Sequence, residues 1–325
     1  RGLAAVADLQ GRHAQAMALY EEIIQVLQRR YGPQSPRATE ILPEAAWAIF
    51  NGGAYRRAAE LLGQYINRAA AQPGADPRSL AEARSRLGSF LCKLGDYAAA
   101  ETVTRRAIAE QTAVAGPRYM ETAVSRIILG GILTERGDYA GADAELQAAL
   151  EIVQSLVAAG DPFLATVNTY LGRLRMEQGR VPEGVAILTE ALKMREKSFG
   201  PASGIVAYNR YLLADAWQHL GRQADALAAA RAALEASEKT DGPAHPGALL
   251  IRIGTAGLLR EQDAHAEAVA MLKAIPVNAL AALPAQHPLA VSLRRELGLL
   301  ALESRDFTAA RVELEQSLRL AQQCY

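Results

Sequence analysis

The sequence predicts an all-α solenoid of eight helix-turn-helix repeats with a fixed 42-residue period, running through all 325 residues as one domain. Three columns of residues carry this prediction. Gly11, Gly53, Gly95, Gly137, Gly179 and Gly221 fall 42 residues apart, and Asp263 and Arg305 continue the series. Seven residues before each of these stands a small residue: Ala4, Ala46, Gly88, Gly130, Gly172, Ala214, Ala256 and Gly298. Five residues after each stands another: Ala16, Ala58, Ala100, Ala142, Gly184, Ala226, Ala268 and Ala310. A fixed period of this length marks stacked supersecondary units, none of which buries its apolar face alone.

Each unit reads as a first helix, a tight turn and a second helix. In the first helix Leu87, Leu129, Leu171, Leu213 and Leu297 stand just before the small column, giving one apolar face. The small column is where two helices touch, and the column after the turn supplies the opposing surface. The turn itself is of the form Gly-x-Tyr. Between repeats, Gly32, Gly74, Gly116, Gly200 and Gly242 form one 42-residue lattice and Pro36, Pro162, Pro246 and Pro288 another. Glycine ends one helix and proline starts the next, so each helix runs about four to five turns. Pro276 interrupts this plan, because the second helix of repeat seven must end early or kink before Ala279 to Leu283. Drift near a terminus and a hinge are the two readings. Repeat one begins inside its first helix, and Cys324 and Tyr325 close the last helix without a polar cap, so a fragment of a longer chain is expected.

Leu87-Gly88, Gly95-Asp96-Tyr97 and Ala100 resemble the tetratricopeptide repeat. The 42-residue unit with a Gly-Pro-x-x-Pro junction, as in Gly32 to Pro36 and Gly242 to Pro246, is similar to the kinesin-light-chain variant found in bacterial regulatory and Ser/Thr kinase-associated proteins. The resemblance covers the whole chain. It implies a right-handed superhelix whose first helices line a concave groove, and a binding module rather than an enzyme; the partner is left open, since one solenoid hosts many.

Composition narrows the function classes. Half of the residues are hydrophobic and only 6% aromatic, so the core is thin and built from small side chains. Basic and acidic residues balance at 35 each, which removes the bulk electrostatic case for nucleic acid or an anionic membrane. No apolar run is long enough for a bilayer, and insertion is not expected. Cys92 and Cys324 have neither disulfide-framework nor zinc spacing. No nucleophile-elbow, metal or phosphate-loop motif occurs, so no catalytic residue, metal or cofactor is expected. Four of the five histidines follow the repeat: His245 and His287 precede junction prolines, and His13 and His265 take the tyrosine column; His219 is read as an inert surface residue. The compartment stays open between the cytoplasm and the extracytoplasmic arm of a membrane-anchored signalling protein.

The resemblance also implies which positions face the groove: Trp47, Phe50 and Asn51 in repeat two, then Ser85, Lys93, Thr169, Arg173, Met176, Tyr211, Asp215, Gln218, Arg260 and Arg295. Trp47 and Phe50, three apart on one helix face, are either anchors for a bound segment or covered by the preceding helix. A separate column eleven residues before each turn reads Arg84, Arg126, Asn168, Arg210, Arg252 and Arg294. At roughly 10 Å between packed helices it forms either a cradle for an acidic peptide or chain terminus, or a series of staples to acids such as Glu82, Glu101, Glu145 and Glu296. The leading expectation is a groove that docks a protein or peptide segment, acidic or carboxylate-bearing. The alternatives are the sensor arm of a bacterial signalling protein such as a Ser/Thr kinase, and a scaffold that self-associates through the apolar edges at Leu3 and Leu318.

Overall fold

The computed structural model describes residues 1–9, 12–276, 279 and 287–324. Among them lie seventeen helices and no strand. In chain order the repeats are α1 (Gly2–Leu9) with α2 (His13–Tyr31); a split arm of α3 (Pro36–Glu40) and α4 (Leu42–Asn51) with α5 (Tyr55–Ala70); α6 (Pro77–Leu94) with α7 (Tyr97–Ala115); and α8 (Met120–Glu135) with α9 (Tyr139–Leu156). They continue as α10 (Pro162–Glu177) with α11 (Val181–Phe199); α12 (Gly204–His219) with α13 (Gln223–Asp241); α14 (Pro246–Glu261) with α15 (His265–Lys273); and α16 (Pro288–Glu303) with α17 (Phe307–Cys324). Consecutive helices pack together, and first helices also touch the first helix of the next repeat.

The two small columns form the seam of each pair. A β-carbon added to Gly130 would lie 2.5 Å from Leu146, and one on Gly172 or Gly298 would lie 2.7 Å from Leu188 or Leu314. Each leucine thus occupies the space that the glycine leaves open on the facing helix, sixteen residues earlier in the chain. Ala16, Ala58, Ala100, Ala142, Ala226 and Ala268 are fully buried opposite. The turn glycines close each pair in the left-handed region, with φ of +83° at Gly95, and Asp263 and Arg305 adopt the same conformation at φ 59° and 60°. The first turn of the series, Gly11, lies outside the described residues.

Two prolines shape the exceptions. Pro43 lacks the N–H that would bond to the Thr39 carbonyl, and the first helix of repeat two breaks at Ile41, a split that the column pattern does not anticipate. α15 ends at Lys273, three residues before Pro276, so the helix stops early rather than kinking at the proline; residues 280–283 of the expected continuation lie outside the described residues.

The superhelix meets itself. His245 Nε2 lies 3.0 Å from the Asn51 carbonyl, 194 residues away in the chain, so between four and five repeats complete one turn. Along the same contact, β-carbons on Gly53 and Gly95 would lie 2.6 and 3.1 Å from Pro246 and Pro288, His13 comes within 3.9 Å of Asp241, and the Tyr55 ring stacks 6.4 Å from that of His287. Phe50 and Leu94 join one apolar cluster with Leu249, Ile253 and Leu289 across this contact. The turns of repeats two and three therefore sit on the junctions that open α14 and α16, with His13 of α2 beside Asp241, and the concave groove is closed into a lumen.

Candidate binding site in the superhelix lumen

Six consecutive first helices, α6 to α16, each turn one face into the lumen, with residues spaced three or four apart as a helix face requires. They enclose a cavity of about 350 Å³. Five of the chain's eleven tyrosines line it: Tyr55, Tyr97, Tyr170, Tyr208 and Tyr211. Two glycines make room for them. A β-carbon on Gly131 would lie 2.6 Å from the Tyr170 ring, and one on Gly254 would collide with the Tyr211 hydroxyl. Lys93 and Arg173 bring the positive charge; Arg173 is paired with Glu135, and the Lys93 ammonium sits 6.0 Å from the centroid of the Tyr208 ring.

The lumen's environment acts on its titratable groups. Burial pushes the Cys92 thiol up to about 11 and the His287 imidazole down to about 4, so both are neutral near pH 7. Burial also works against the Lys93 ammonium, while Tyr208, Tyr170 and Tyr55, once ionised, attract it and raise its pKa. Tyr211, Leu250 and Ser292 are shared with a second cavity of about 240 Å³ toward the C-terminal repeats, lined by Asp215, Gln218, Glu261, Arg295 and Glu296. There, burial raises the Asp215 pKa. Among the described residues no three His, Cys, Asp or Glu side chains are grouped to hold a metal, and no helix is long and apolar enough to cross a membrane.

Family models described as tetratricopeptide repeat match residues 2–37, 79–155 and 163–239, more than half of the chain. The chain belongs to the tetratricopeptide repeat family. No curated protein matches it. Among solved structures it is similar to BtubC (BKLC) from P. vanneervenii, with 19% identity, a TM-score of 0.52, and 71% of this chain and 92% of that one covered. It is also similar to the Rap conjugation gene regulator of plasmid pLS20, solved in complex with the Phr* peptide, with 12% identity, a TM-score of 0.65, and coverage of 99% and 93%. A third is a monomeric mutant of IFIT1 solved with Gppp-AAAA, with 16% identity, a TM-score of 0.59, and coverage of 98% and 67%. At these identities the likeness establishes the fold and nothing finer.

Within this tetratricopeptide array, the residues expected at the groove separate into three groups. Lys93, Thr169, Arg173 and Tyr211 line the lumen, and Tyr211, Asp215, Gln218 and Arg295 line the second cavity. Thr169 presents little to a ligand, because its hydroxyl donates to the Ala165 carbonyl and accepts from Asn209.

The aromatic pair lies outside both cavities. Phe50 stacks on Phe90 at 4.3 Å and packs into the superhelical contact; Trp47 stacks against both, stays 44% exposed, and lines neither cavity. Asn51 bonds to Asp8 through its side chain and to His245 through its carbonyl, which makes it part of the closure. Ser85 is buried in a network with Ser125 and Gln111. Met176 fills the space beside Gly184 within its own repeat, and Arg260 is held among Glu261, Glu296 and Glu303.

The arginine column is paired with carboxylates of the array itself. Arg84 pairs with Glu110, Arg126 with Glu145, Arg210 with Glu196, Arg252 with Glu238 and Arg294 with Glu313. Every partner lies on a second helix, of the same repeat or the preceding one, so these side chains are aimed away from the lumen and tie helices together. Asn168 is half-buried and lines neither cavity.

Four of the five lumen tyrosines, Tyr55, Tyr97, Tyr170 and Tyr208, and the bridging histidines are absent from the groove positions that the family register supplies. The signal for the histidines is in the cap column: Ser35, Asp161 and Ser203 cap their helices where His245 and His287 cap α14 and α16. In these last two repeats the longer capping side chain also meets a distant part of the chain, His245 at Asn51 and His287 at Tyr55.

Proposed function

We propose that this chain is a non-catalytic docking module that holds a peptide or protein segment in the closed lumen of its superhelix. The observation that carries this reading is the tyrosine-lined cavity built from six first helices. Tyrosine offers a large apolar body and a polar tip with only two side-chain torsions to order, which suits a preformed surface that reads a segment by contact and hydrogen bond. The pLS20 regulator of the same fold was solved with a peptide, which supports this class of partner. The capped oligonucleotide on IFIT1 illustrates another use of the fold. It is disfavoured here by the balanced charge of the chain and the carboxylates Glu135, Asp215, Glu261 and Glu296 along the two cavities.

Selection of displayed random peptides on the immobilised chain tests this, with Tyr170→Ala and Tyr208→Ala beside the wild type. A peptide family enriched by the wild type and lost by at least tenfold in the folded variants supports the lumen. Enrichment that survives both substitutions places docking on another surface and ends this reading. Self-association is a second reading, favoured by exposed Leu3 in the first repeat and exposed Phe307 and Leu318 in the last. Sedimentation across a concentration series that shows a single monomeric species would remove it.

A further inference from the structure

We propose that the outer face of repeats two and three is a docking groove for a helix of a partner protein that carries one acidic side chain within its apolar face. The surface is built from second helices, away from the lumen, and so goes beyond the docking reading above. α5 and α7 form its walls, Leu87 and Leu91 of α6 its apolar floor, and the space between them is about 850 Å³. The walls are low, because α5 offers Gly63 and Ala70 and α7 offers Ala98 and Ala99. Between α2 and α5, and again between α13 and α15, neighbouring second helices are bridged by an ion pair 36 residues apart in sequence, Glu21 with Arg57 and Arg231 with Glu267. Gly63 and Ala99 stand in the same two columns of the 42-residue repeat, where neither can reach across. No neighbour demands the glycine, since a β-carbon there would meet nothing within 4 Å, and glycine weakens a helix interior.

The charges change at the same place. Arg210 and Arg252 are held by Glu196 and Glu238 of the preceding second helix, and Arg126 and Arg294 by Glu145 and Glu313 of the following one. Around Arg84 these two columns hold Ala70 and Val103, which line the groove instead. Arg84 turns to Glu110, which Arg106 shares, so two guanidiniums in the groove face one carboxylate. Arg84 is 6% exposed, and of its nitrogens only Nη1 has a partner among the described residues. A buried cation short of an anion, set between apolar walls, selects a carboxylate that arrives on an apolar surface. A helix is the form that fits. An extended segment would lay unpaired backbone N–H and C=O groups on Leu87 and Leu91, whereas a helix pairs its own. The groove runs along α5 from Gly63 to Ala70, a length of roughly 12 Å, which takes about two turns of the partner.

The test selects a displayed library of amphipathic helices with alanine- and leucine-rich faces, one position of that face being varied among Glu, Gln and Lys. The whole chain is immobilised as the wild type, as Gly63→Glu with Ala99→Arg to rebuild the bridge across the groove, and as Val103→Glu or Ala70→Glu to give Arg84 an acid of its own. Each substitution installs a residue that another repeat carries in the same column, and circular dichroism checks that the fold is kept. On the wild type, helices bearing Glu should be enriched about tenfold or more over their Gln counterparts, as a charge-assisted hydrogen bond implies. The bridged variant should lose them, and the variants with an added acid should lose the preference for Glu. Failure to enrich any helix, or equal enrichment on the wild type and the bridged variant, overturns the groove. A preference for Gln or Lys overturns the acidic partner, and a preference for Glu that survives in both Val103→Glu and Ala70→Glu overturns the role of Arg84. Helices lost by Tyr170→Ala and kept by the bridged variant belong to the lumen, which separates failure here from failure of the docking reading. A wild-type dimer that becomes monomeric in the bridged variant overturns the partner helix in favour of a second copy of this chain.

Discussion

Asp263 and Arg305 hold positive φ at turns where Gly53, Gly95, Gly137, Gly179 and Gly221 do the same without a side chain. An L-residue in this region is strained by about 1–2 kcal/mol, with aspartate more tolerant than arginine. Arg305→Gly relieves that strain, offset in part by glycine's freedom in the unfolded chain, and should stabilise by about 1 kcal/mol in thermal denaturation. Asp263→Gly should gain less; a loss on Arg305→Gly would mean that its side chain does more than occupy the turn.

The capping histidines carry a second residue-scale consequence. Nδ1 of His287 accepts the Leu289 N–H at 3.1 Å, and Nδ1 of His245 accepts that of Gly247 at the same distance, so the single proton of each ring is on Nε2. Protonating Nδ1 would set it against the amide that it accepts from. Burial accordingly depresses the pKa of His287 to about 4 and lowers that of His245. Between the unfolded value of 6.5 and about 4 the folded chain binds fewer protons than the unfolded one, so stability present above pH 6.5 is lost as pH falls through that window. For His287 alone the loss reaches roughly 3 kcal/mol. Chemical denaturation at pH 7.0 and 4.5 should show it, and His287→Ser should flatten the dependence.

At the scale of the helix pair, two adjacent glycines of α8 do different work. Gly130 faces Leu146 across the seam of its own repeat, and Gly131 faces the Tyr170 ring of the next. Gly130→Ala drives a methyl into a fully buried leucine and should destabilise by about 1–3 kcal/mol. Gly131→Ala meets a ring that can swing toward the cavity, so thermal stability should change less while peptide binding falls. If the two variants lose equal stability, Tyr170 is as fixed as the core.

The same pair shows how much of this molecule was legible in its sequence. Gly130 belongs to a column that repeats eight times, because every helix pair meets the same packing problem, and the seam was read from it. Gly131 repeats nowhere and was passed over, because the lumen is not periodic: each first helix contributes different residues to one shared space. Family register still placed Lys93, Arg173 and Tyr211, which project directly inward. Trp47 and Phe50 line neither cavity, since half-buried Phe50 stacks on Phe90 and joins a contact between repeats that are distant in sequence. The arginine column was legible as a pattern but not in direction, because its acids occupy three different offsets and form no column of their own.

For the whole molecule the deciding event is that the superhelix closes on itself, turning an open groove into a lumen. The contact is narrow: two histidine rings, two glycine-proline approaches and one aromatic cluster. A segment of any length must thread the ends or part this contact, so closure should set the rate of ligand entry and exit. His245→Ser with His287→Ser separates closure from folding. Serine caps the corresponding helices α3 and α12, so the N-caps survive, while the reach of His245 Nε2 to the Asn51 carbonyl and the stacking of the His287 ring on Tyr55 are lost. Cys92 reports the outcome from inside the cavity, where burial holds its thiol protonated and poorly reactive. In a Cys324→Ser background, alkylation of Cys92 near pH 8 should be slow in the parent and several-fold faster in the double serine variant, with circular dichroism unchanged and the radius of gyration increased in small-angle scattering. An unchanged alkylation rate in a folded variant would mean that the apolar cluster of Phe50, Tyr55 and Leu289 closes the lumen without the histidines, and that their role ends at the helix cap.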